Sequence, residues 1–308
     1  MRRPLKHFSF FSLTLLLSLS LPVLPLTSNW KPLTAQAQTA QDRAGEAQRL
    51  YQKGEQLYQQ GQLKEALQPL QLAVAIYREI GDRPREAVTL TRRGRIYDIL
   101  GQYNPALEDY QQALAIYKQI GERRGEAIAL DYIGRIYDRQ GDSQKALDFQ
   151  QQALVIFKET GNRRSEAIVL GNIGRIYDYS SQFDQALDYY QQSLDISKEV
   201  GERQGEAIIL DYMGVIYNNQ GQHEKALKSH QQSLALFKDL GLRRSEGIVL
   251  ANIGAVYTNQ GQPQKALDYY QQALAIYQEV GDQEGVEATQ QQIQQIQQNR
   301  SNTESSSL

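Results

Sequence analysis

The chain has 308 residues, with 33 basic and 35 acidic side chains and no cysteine. The absence of cysteine excludes disulfides, thiolate metal sites, a cysteine nucleophile and a lipid-modified N-terminal cysteine. The near-neutral charge gives no reason to expect nucleic acid or an anionic membrane surface as a partner. Composition therefore favours neither a thiol-based protein nor one that binds polyanions.

The N-terminus has the organisation of a secretory signal. Basic residues precede an uncharged, leucine-rich run over residues 8–26, and the small-residue sequence Ala35-Gln36-Ala37 follows. This order predicts a signal peptide over residues 1–37, cleaved near Ala37, and export to the bacterial periplasm or the extracellular space. Cleavage would remove Trp30, the only tryptophan, and change the net charge from -2 to -6. The alternative is an uncleaved membrane anchor, since about 19 apolar residues can just span a bilayer; we expect no span in the mature chain.

Beyond a short linker at residues 38–46, the sequence repeats itself with a strict period. Glycine recurs every 40 residues as Gly54, Gly94, Gly134, Gly174, Gly214 and Gly254. Alanine recurs at the same period as Ala66, Ala106, Ala146, Ala186, Ala226 and Ala266. A fixed period of this length is typical of repeat architectures. It predicts six repeats over residues 47–286, with bounds 47–86, 87–126, 127–166, 167–206, 207–246 and 247–286.

Each repeat reads as two helices. In the third, Leu130, Ile133, Gly134 and Tyr137 fall at i, i+3, i+4 and i+7, the stripe of an amphipathic helix. Gly141 ends that helix, and a second apolar stripe follows it. We expect the repeated glycine and alanine to let the two helices approach closely, with the repeated tyrosine filling the gap beside them.

Signals at the helix ends support this reading. Gly161 suits a left-handed C-terminal cap, and Asn162 suits the N-cap of the next helix. Pro69 lies inside a predicted helix and is expected to kink or shorten it.

The pattern resembles the tetratricopeptide repeat (TPR). The third repeat carries the residues of that family's pattern: Leu130, Ile133-Gly134, Tyr137, Gly141, Ala146 and Ala153. It departs from the pattern in having lysine, as in Lys158, where the family usually has proline, and in six extra residues such as Gly121 to Glu126, expected to lengthen the linker. The variant is similar to Leu-Gly-Asn-type adaptors and, more closely, to exported bacterial arrays. The resemblance implies an all-α fold, an α-solenoid of six helix-turn-helix repeats wound into a right-handed superhelix.

The two ends of the array depart from the pattern. Lys53 and Arg93 replace an apolar residue, so we expect the first repeats to be more solvated and the first to fray. Residues 287–298 continue the helical period and predict a capping helix. Residues 299–308 have nothing to bury and are predicted to be disordered.

Candidate binding residues lie opposite the packing stripe of each first helix. The resemblance implies that this face lines a concave groove and contacts a partner. These residues are Arg95, Asp98, Asp131, Arg135, Asp138, Asn172, Arg175, Asp178, Asp211, Asn218 and Asn252.

Two interpretations of this face stay open. Arginine and aspartate alternate at i, i+3, close enough for ion pairs within each helix, so the face is either solvated and self-paired or opened by a partner's carboxylates. Asn172 and Asn252 match the asparagine with which Leu-Gly-Asn-type adaptors hold a peptide backbone.

The predicted function is a scaffold that binds a protein or peptide segment in the groove. The alternative is a peptide-sensing regulator that changes its superhelical conformation when ligand binds, and self-association also stays open. No catalytic set, cofactor motif or metal site is recognisable, so we expect neither an enzyme nor a metal or cofactor. His223 and His230 are predicted to lie on the surface.

Overall fold

The computed structural model describes the backbone of residues 33–306 and the side chains of residues 39–299. Every regular element in that stretch is an α-helix. The helices are α1 (Leu33–Gln59), α2 (Leu63–Glu79), α3 (Arg83–Ile99), α4 (Tyr103–Ile120), α5 (Arg123–Arg139), α6 (Ser143–Glu159), α7 (Arg163–Tyr179), α8 (Phe183–Glu199), α9 (Arg203–Asn219), α10 (His223–Asp239), α11 (Arg243–Asn259), α12 (Pro263–Val280) and α13 (Gln283–Ser306).

Consecutive helices pack against each other along the array, which belongs to the compact unit Arg43–Leu308. The odd-numbered helices α1 to α11 are the first helices of the six repeats, and the even-numbered helices α2 to α12 are the second helices. First helices of neighbouring repeats also contact each other, from α3 through α5, α7 and α9 to α11. Side chains on adjacent first helices can therefore bond across a repeat boundary. The predicted α-solenoid of helix pairs is confirmed.

The core continues from one repeat into the next. One cluster joins Val74, Leu90, Ile116, Tyr117 and Ala129, residues of four successive helices. Because each repeat buries its apolar face against its neighbours, no repeat has a core of its own.

The repeated glycines mark the closest helix contacts, as the sequence predicts. A Cβ built on Gly174 would lie 2.6 Å from the ring of Tyr190 and 3.2 Å from the carbonyl oxygen of Ala186. The residue that fills the space is different from the predicted one. It is the second-helix residue at the position of Tyr190, whereas Tyr177, at the predicted position, stacks on Tyr189.

Two local expectations are corrected. The extra residues at Gly121 to Glu126 do not lengthen the linker, because α5 already begins at Arg123 and they add a turn to the helix. Gly121 adopts the left-handed conformation, with φ 72°, and Glu122 accepts a hydrogen bond from the backbone N–H of Gly125.

The predicted cap at Asn162 is present, since its side chain accepts a hydrogen bond from the backbone N–H of Ser165 at 3.2 Å. Pro69 does not shorten α2, which has the 17 residues of most other helices in the array, and the expected kink stays a prediction.

The two ends differ from expectation in different ways. Of the predicted signal peptide, residues 1–32 lie outside the described residues; residues 33–37 and the predicted linker belong to α1. Lys53 is exposed, as expected, but Arg93 is half-buried, and its guanidinium donates to both carboxylate oxygens of the buried Asp109. At the other end α13 packs on α12 and runs to Ser306, through most of the tail for which we predicted disorder.

Candidate functional site

The acidic and basic side chains of the first helices pair between repeats. Arg175 Nη2 on α7 lies 2.7 Å from Asp138 Oδ2 on α5, and Arg139 on α5 pairs with Asp98 on α3. The i, i+3 pairs predicted within each helix, such as Arg135 with Asp138, are therefore not the ion pairs that form. Adjacent first helices lie close enough for a carboxylate to find its arginine on the next repeat.

A second set of bonds crosses the same boundaries. Asn172 Nδ2 donates to Asp131 Oδ1 at 3.0 Å, and Asn252 Nδ2 donates to Asp211, 3.1 Å from each carboxylate oxygen. Both asparagines, predicted to hold a ligand backbone, use their N–H groups inside the array. His230 is buried and lies 2.7 Å from Asp211 through Nδ1, so its predicted surface position is wrong.

Burial changes the interpretation of the acidic candidates. Asp98, Asp131 and Asp211 are buried between helices and do not lie on an open surface. Burial raises the pKa of Asp131, and the nearby Arg135 opposes that rise. Buried carboxylates need polar partners. Asp131 and Asp211 each accept a hydrogen bond from an asparagine of the next repeat, and Asp98 pairs with Arg139, so these residues join repeats together.

The series of ion pairs between neighbouring first helices ends at the fourth repeat. Asp178 would need an arginine on α9, where the equivalent positions are Val215 and Asn219. Asp178 forms no ion pair within the described part of the chain, and burial raises its pKa. One repeat further on, Asn218 accepts from Asn259 Nδ2 at 3.2 Å, an uncharged version of the same link.

Two candidate arginines form no ion pair among the described side chains. Arg95 is exposed, and its guanidinium carbon lies 5.7 Å from the centre of the Tyr58 ring. Arg135 is half-buried and lies 5.4 Å from the centre of the Tyr132 ring. An aromatic face attracts a guanidinium without neutralising it. Both arginines can therefore accept an external carboxylate.

A cavity of about 330 Å³ opens beside Arg135, between α5, α7, α8 and α9. Polar residues on its wall include Arg135, Arg139, Arg175, Asn172 and Ser197. Candidates from both predicted groups, the arginines and the asparagines, therefore meet here. Arg95, Asp98, Asp211, Asn218 and Asn252 are not on this wall.

Sequence reasoning missed most of the cavity wall, including Gly171, Ser197 and Gly205. Gly171 and Ser197 could have been found by comparing each repeat position along the chain. Position 197 is the only one of six equivalents that is not aromatic, and the others are Tyr77, Tyr117, Phe157, Phe237 and Tyr277.

Comparison with protein families decides the identity of the array. The tetratricopeptide-repeat family model matches residues 46–119, 104–159, 125–199 and 205–279, most of the chain. The chain belongs to the tetratricopeptide-repeat family. Comparison with curated protein sequences gives no match.

Solved structures share the TPR fold at low sequence identity. BtubC (BKLC) from P. vanneervenii is 20% identical with a TM-score of 0.55, over 79% of this chain and 92% of that one. Aspartyl phosphate phosphatase F from Bacillus subtilis is 14% identical with a TM-score of 0.65, over 86% and 73%. A Rap protein complexed with competence and sporulation factor is 16% identical with a TM-score of 0.58, over 83% and 76%. These likenesses concern the fold alone.

Two kinds of site are absent from the described portion of the TPR array. No helix there is both long and apolar enough to cross a membrane. No group of three or more histidine and acidic side chains there is placed to hold a metal ion.

Proposed function

We propose that this TPR protein is a non-enzymatic scaffold that holds a segment of a partner polypeptide against its first helices. One observation supports this most directly: Arg95 and Arg135 lie on that face and form no ion pair within the described part of the chain. Apart from the half-buried Asp178, the acidic candidates of the same face are paired or buried between repeats. The face therefore offers cations to an acidic segment, and arginine can bind a carboxylate through two parallel hydrogen bonds.

The ladder of bonds between repeats supports a different role for most other candidates. Asp138 with Arg175 and Asp131 with Asn172 hold neighbouring first helices together. They fix the spacing of the binding surface, and the arginines outside the ladder contact the partner. This joins the two interpretations that the sequence left open, because one face contains both self-paired and available groups.

A charge-reversal experiment tests this proposal. The double variant Arg95→Glu with Arg135→Glu should lose the partner in affinity purification from the exported fraction, followed by identification of the co-eluting chains. The matched control replaces Lys118 and Lys158, exposed lysines on second helices, by glutamate. This changes the net charge by the same four units. We expect the control to keep the partner. Equal retention by both double variants would contradict a binding surface on the first helices.

We also propose a second candidate function, the peptide-sensing regulator, because one repeat junction differs from the others. The junction of α7 with α9 has neither the Asp–Asn bond nor the Asp–Arg pair, since Gly171 and Val215 stand at the required positions. A ligand that bridges this junction would change the angle between the two repeats. Small-angle X-ray scattering should then show a smaller radius of gyration with ligand; an unchanged radius would favour the passive scaffold.

For the N-terminus we propose export after cleavage near Ala37. The supporting observation is the order of basic, apolar and small residues in the sequence. Intact mass of the protein recovered from the exported fraction tests it, because the mature form lacks Trp30. A full-length mass in the membrane fraction would instead support the anchor.

A further inference from the structure

The second helices carry an aromatic column with one gap. Five repeats place a buried tyrosine or phenylalanine at the same position, and we call these five residues the aromatic column: Tyr77, Tyr117, Phe157, Phe237 and Tyr277. The fourth repeat has Ser197 there. A serine replaces a ring with a few atoms, so the helices around it lose the side chain that fills the space between them.

The surface that receives the ring is kept in the fourth repeat. A Cβ built on Gly125 would lie 2.5 Å from the ring of Tyr117, and one built on Gly285 would lie 2.5 Å from the ring of Tyr277. At these two positions a side chain would displace the tyrosine ring, so glycine leaves room for it there. Gly205 is the equivalent glycine, and its nearest contact across the gap is Ser197, whose Oγ would lie 3.3 Å from a Cβ there. The fourth repeat keeps the glycine without the ring.

The fifth repeat shows how much space the missing ring leaves. A cavity of about 130 Å³ lies 40 residues further along, on the equivalent walls, where Phe237 occupies the position of Ser197. The fourth-repeat cavity measures about 330 Å³. Gly171 widens it further, because the equivalent residue on the wall of the smaller cavity is Asp211.

The wall of the larger cavity is rich in arginine. Arg135, Arg139, Arg164 and Arg175 line it, with Glu202 as the only acidic residue. Three of the four have acidic partners: Arg164 Nε lies 2.6 Å from Glu202, Arg175 pairs with Asp138, and Arg139 pairs with Asp98. Arg135 has no ion pair within the described stretch. The cavity thus combines space for an aromatic ring with an available cation beside it.

We propose that this cavity binds an aromatic side chain of a partner polypeptide that has a carboxylate on a neighbouring residue. The ring enters the cavity whose wall includes Ser197 and Gly205, where the fourth repeat lacks a ring of its own. The carboxylate pairs with Arg135. This deepens the proposed scaffold function and rests on it, because it names the segment that the array recognises.

The chain's own terminal segments do not have this chemistry. Residues 1–37 contain aromatic side chains, but their charged residues are all basic. Residues 299–308 contain Glu304 and no aromatic residue. Neither combines a ring with a nearby acid, so neither of these two segments has the chemistry that the cavity fits.

Isothermal titration of the intact chain with a blocked heptapeptide, Gly-Ser-Asp-Tyr-Asp-Ser-Gly, tests the proposal. Two matched probes replace its tyrosine by alanine or both of its aspartates by asparagine. We expect each of these changes to weaken binding at least tenfold, because one removes the ring and the other the charge.

The decisive variant is Ser197→Tyr. It introduces the tyrosine that, in two other repeats, packs on the glycine equivalent to Gly205. It should weaken binding of the tyrosine probe at least tenfold while keeping the helical circular dichroism. Ser197→Ala is the matched control and should bind as the unaltered chain does. Ser197→Phe, which introduces the ring found at Phe157 and Phe237, provides a second filled cavity if the tyrosine variant does not fold.

Three outcomes would overturn the proposal: no binding of the tyrosine probe, equal binding by the filled and unfilled cavities, or a dimer that Ser197→Tyr converts to a monomer. The last would make a second copy of the chain the occupant. The scaffold function is judged separately. If the purified partner stays on Ser197→Tyr but leaves the Arg95 and Arg135 double variant, the scaffold stands and the cavity proposal fails.

Discussion

The fourth and fifth repeats have helices of equal length, but the space between those helices is filled to different extents. In the fifth, Phe237 fills the space beside Ser245, and a cavity of about 130 Å³ remains. In the fourth, Ser197 and Gly205 leave about 330 Å³. The helices α7 and α9 nevertheless have 17 residues each. In a repeat array the neighbours hold each unit in place, so a few small side chains can open a site without changing the fold.

The polar surroundings differ as much as the volumes. Four arginines line the larger cavity, whereas Asp211 is the only charged residue on the wall of the smaller one. Asp211 is also held by Asn252 and His230. The fifth-repeat site therefore has less space and no arginine on its wall, whereas the fourth-repeat site offers a ligand both space and positive charge.

The largest expected effect comes from emptying the fifth-repeat site. Phe237→Ala should lower the free energy of unfolding by about 3–5 kcal/mol, because it removes a buried ring and leaves a cavity. Ser197→Ala introduces alanine at the equivalent position one repeat earlier, and it should change the free energy of unfolding by less than about 1 kcal/mol. Urea unfolding followed by circular dichroism measures both. Similar losses in the two variants would contradict the packing difference between the repeats.

Breaking a bond between repeats should have the next largest effect. Asp138→Asn removes the carboxylate that pairs with the half-buried Arg175, and we expect a loss of about 1–3 kcal/mol. The third and fourth repeats should then open more readily. Hydrogen exchange across α5 and α7 would show this as faster exchange than in the unaltered chain; unchanged protection would mean that the pair does not hold these helices.

Filling the fourth-repeat site should stabilise the protein. Ser197→Tyr buries a ring against Gly205 and is expected to raise the free energy of unfolding by about 0.5–2 kcal/mol, a usual gain for filling a cavity. Thermal unfolding by circular dichroism measures the change. A lower midpoint would show that the space is not shaped for a ring.

The smallest effect concerns the carboxylate at which the ladder stops. Burial raises the pKa of Asp178 in the folded protein, so its ionised form disfavours folding once the pH exceeds that folded pKa. Asp178→Asn should therefore raise the melting temperature at pH 7 by about 1–2 °C.

The pH dependence gives this variant its control. The gain in melting temperature should shrink as the pH falls below the pKa of Asp178 in the folded protein, because the carboxyl of the unaltered chain then becomes neutral too. A gain that persists in acid would assign the effect to something other than charge.

Much of the fold follows from the sequence because each local signal agrees with the 40-residue period. The helix stripe through Leu130 and Tyr137 and the caps at Gly161 and Asn162 predict the helix pairs directly. Family resemblance supplies their stacking. The N-terminal prediction concerns mostly residues outside the described part of the chain, and export stays a prediction.

The site is less predictable, because its bonds join residues about 40 positions apart. Asp138 has Arg135 three residues away in sequence, and its ion-pair partner is Arg175 on the next helix. Spacing within one helix cannot distinguish these two partners. Ser197 was visible in the sequence, but only a comparison of the second helices reveals that a ring is missing, and only packing shows that the space stays open.

A single introduced thiol tests most directly whether the fourth-repeat cavity receives a ligand. The chain has no cysteine, so Ser193→Cys provides one reporter on the wall of the fourth-repeat cavity and Ser233→Cys provides one at the equivalent position of the fifth repeat. We expect iodoacetamide to modify the thiol at position 193 much faster than the one at 233, and the Asp-Tyr-Asp peptide to protect it. Equal rates at the two positions, or no protection by the peptide, would contradict a ligand site between α7 and α9.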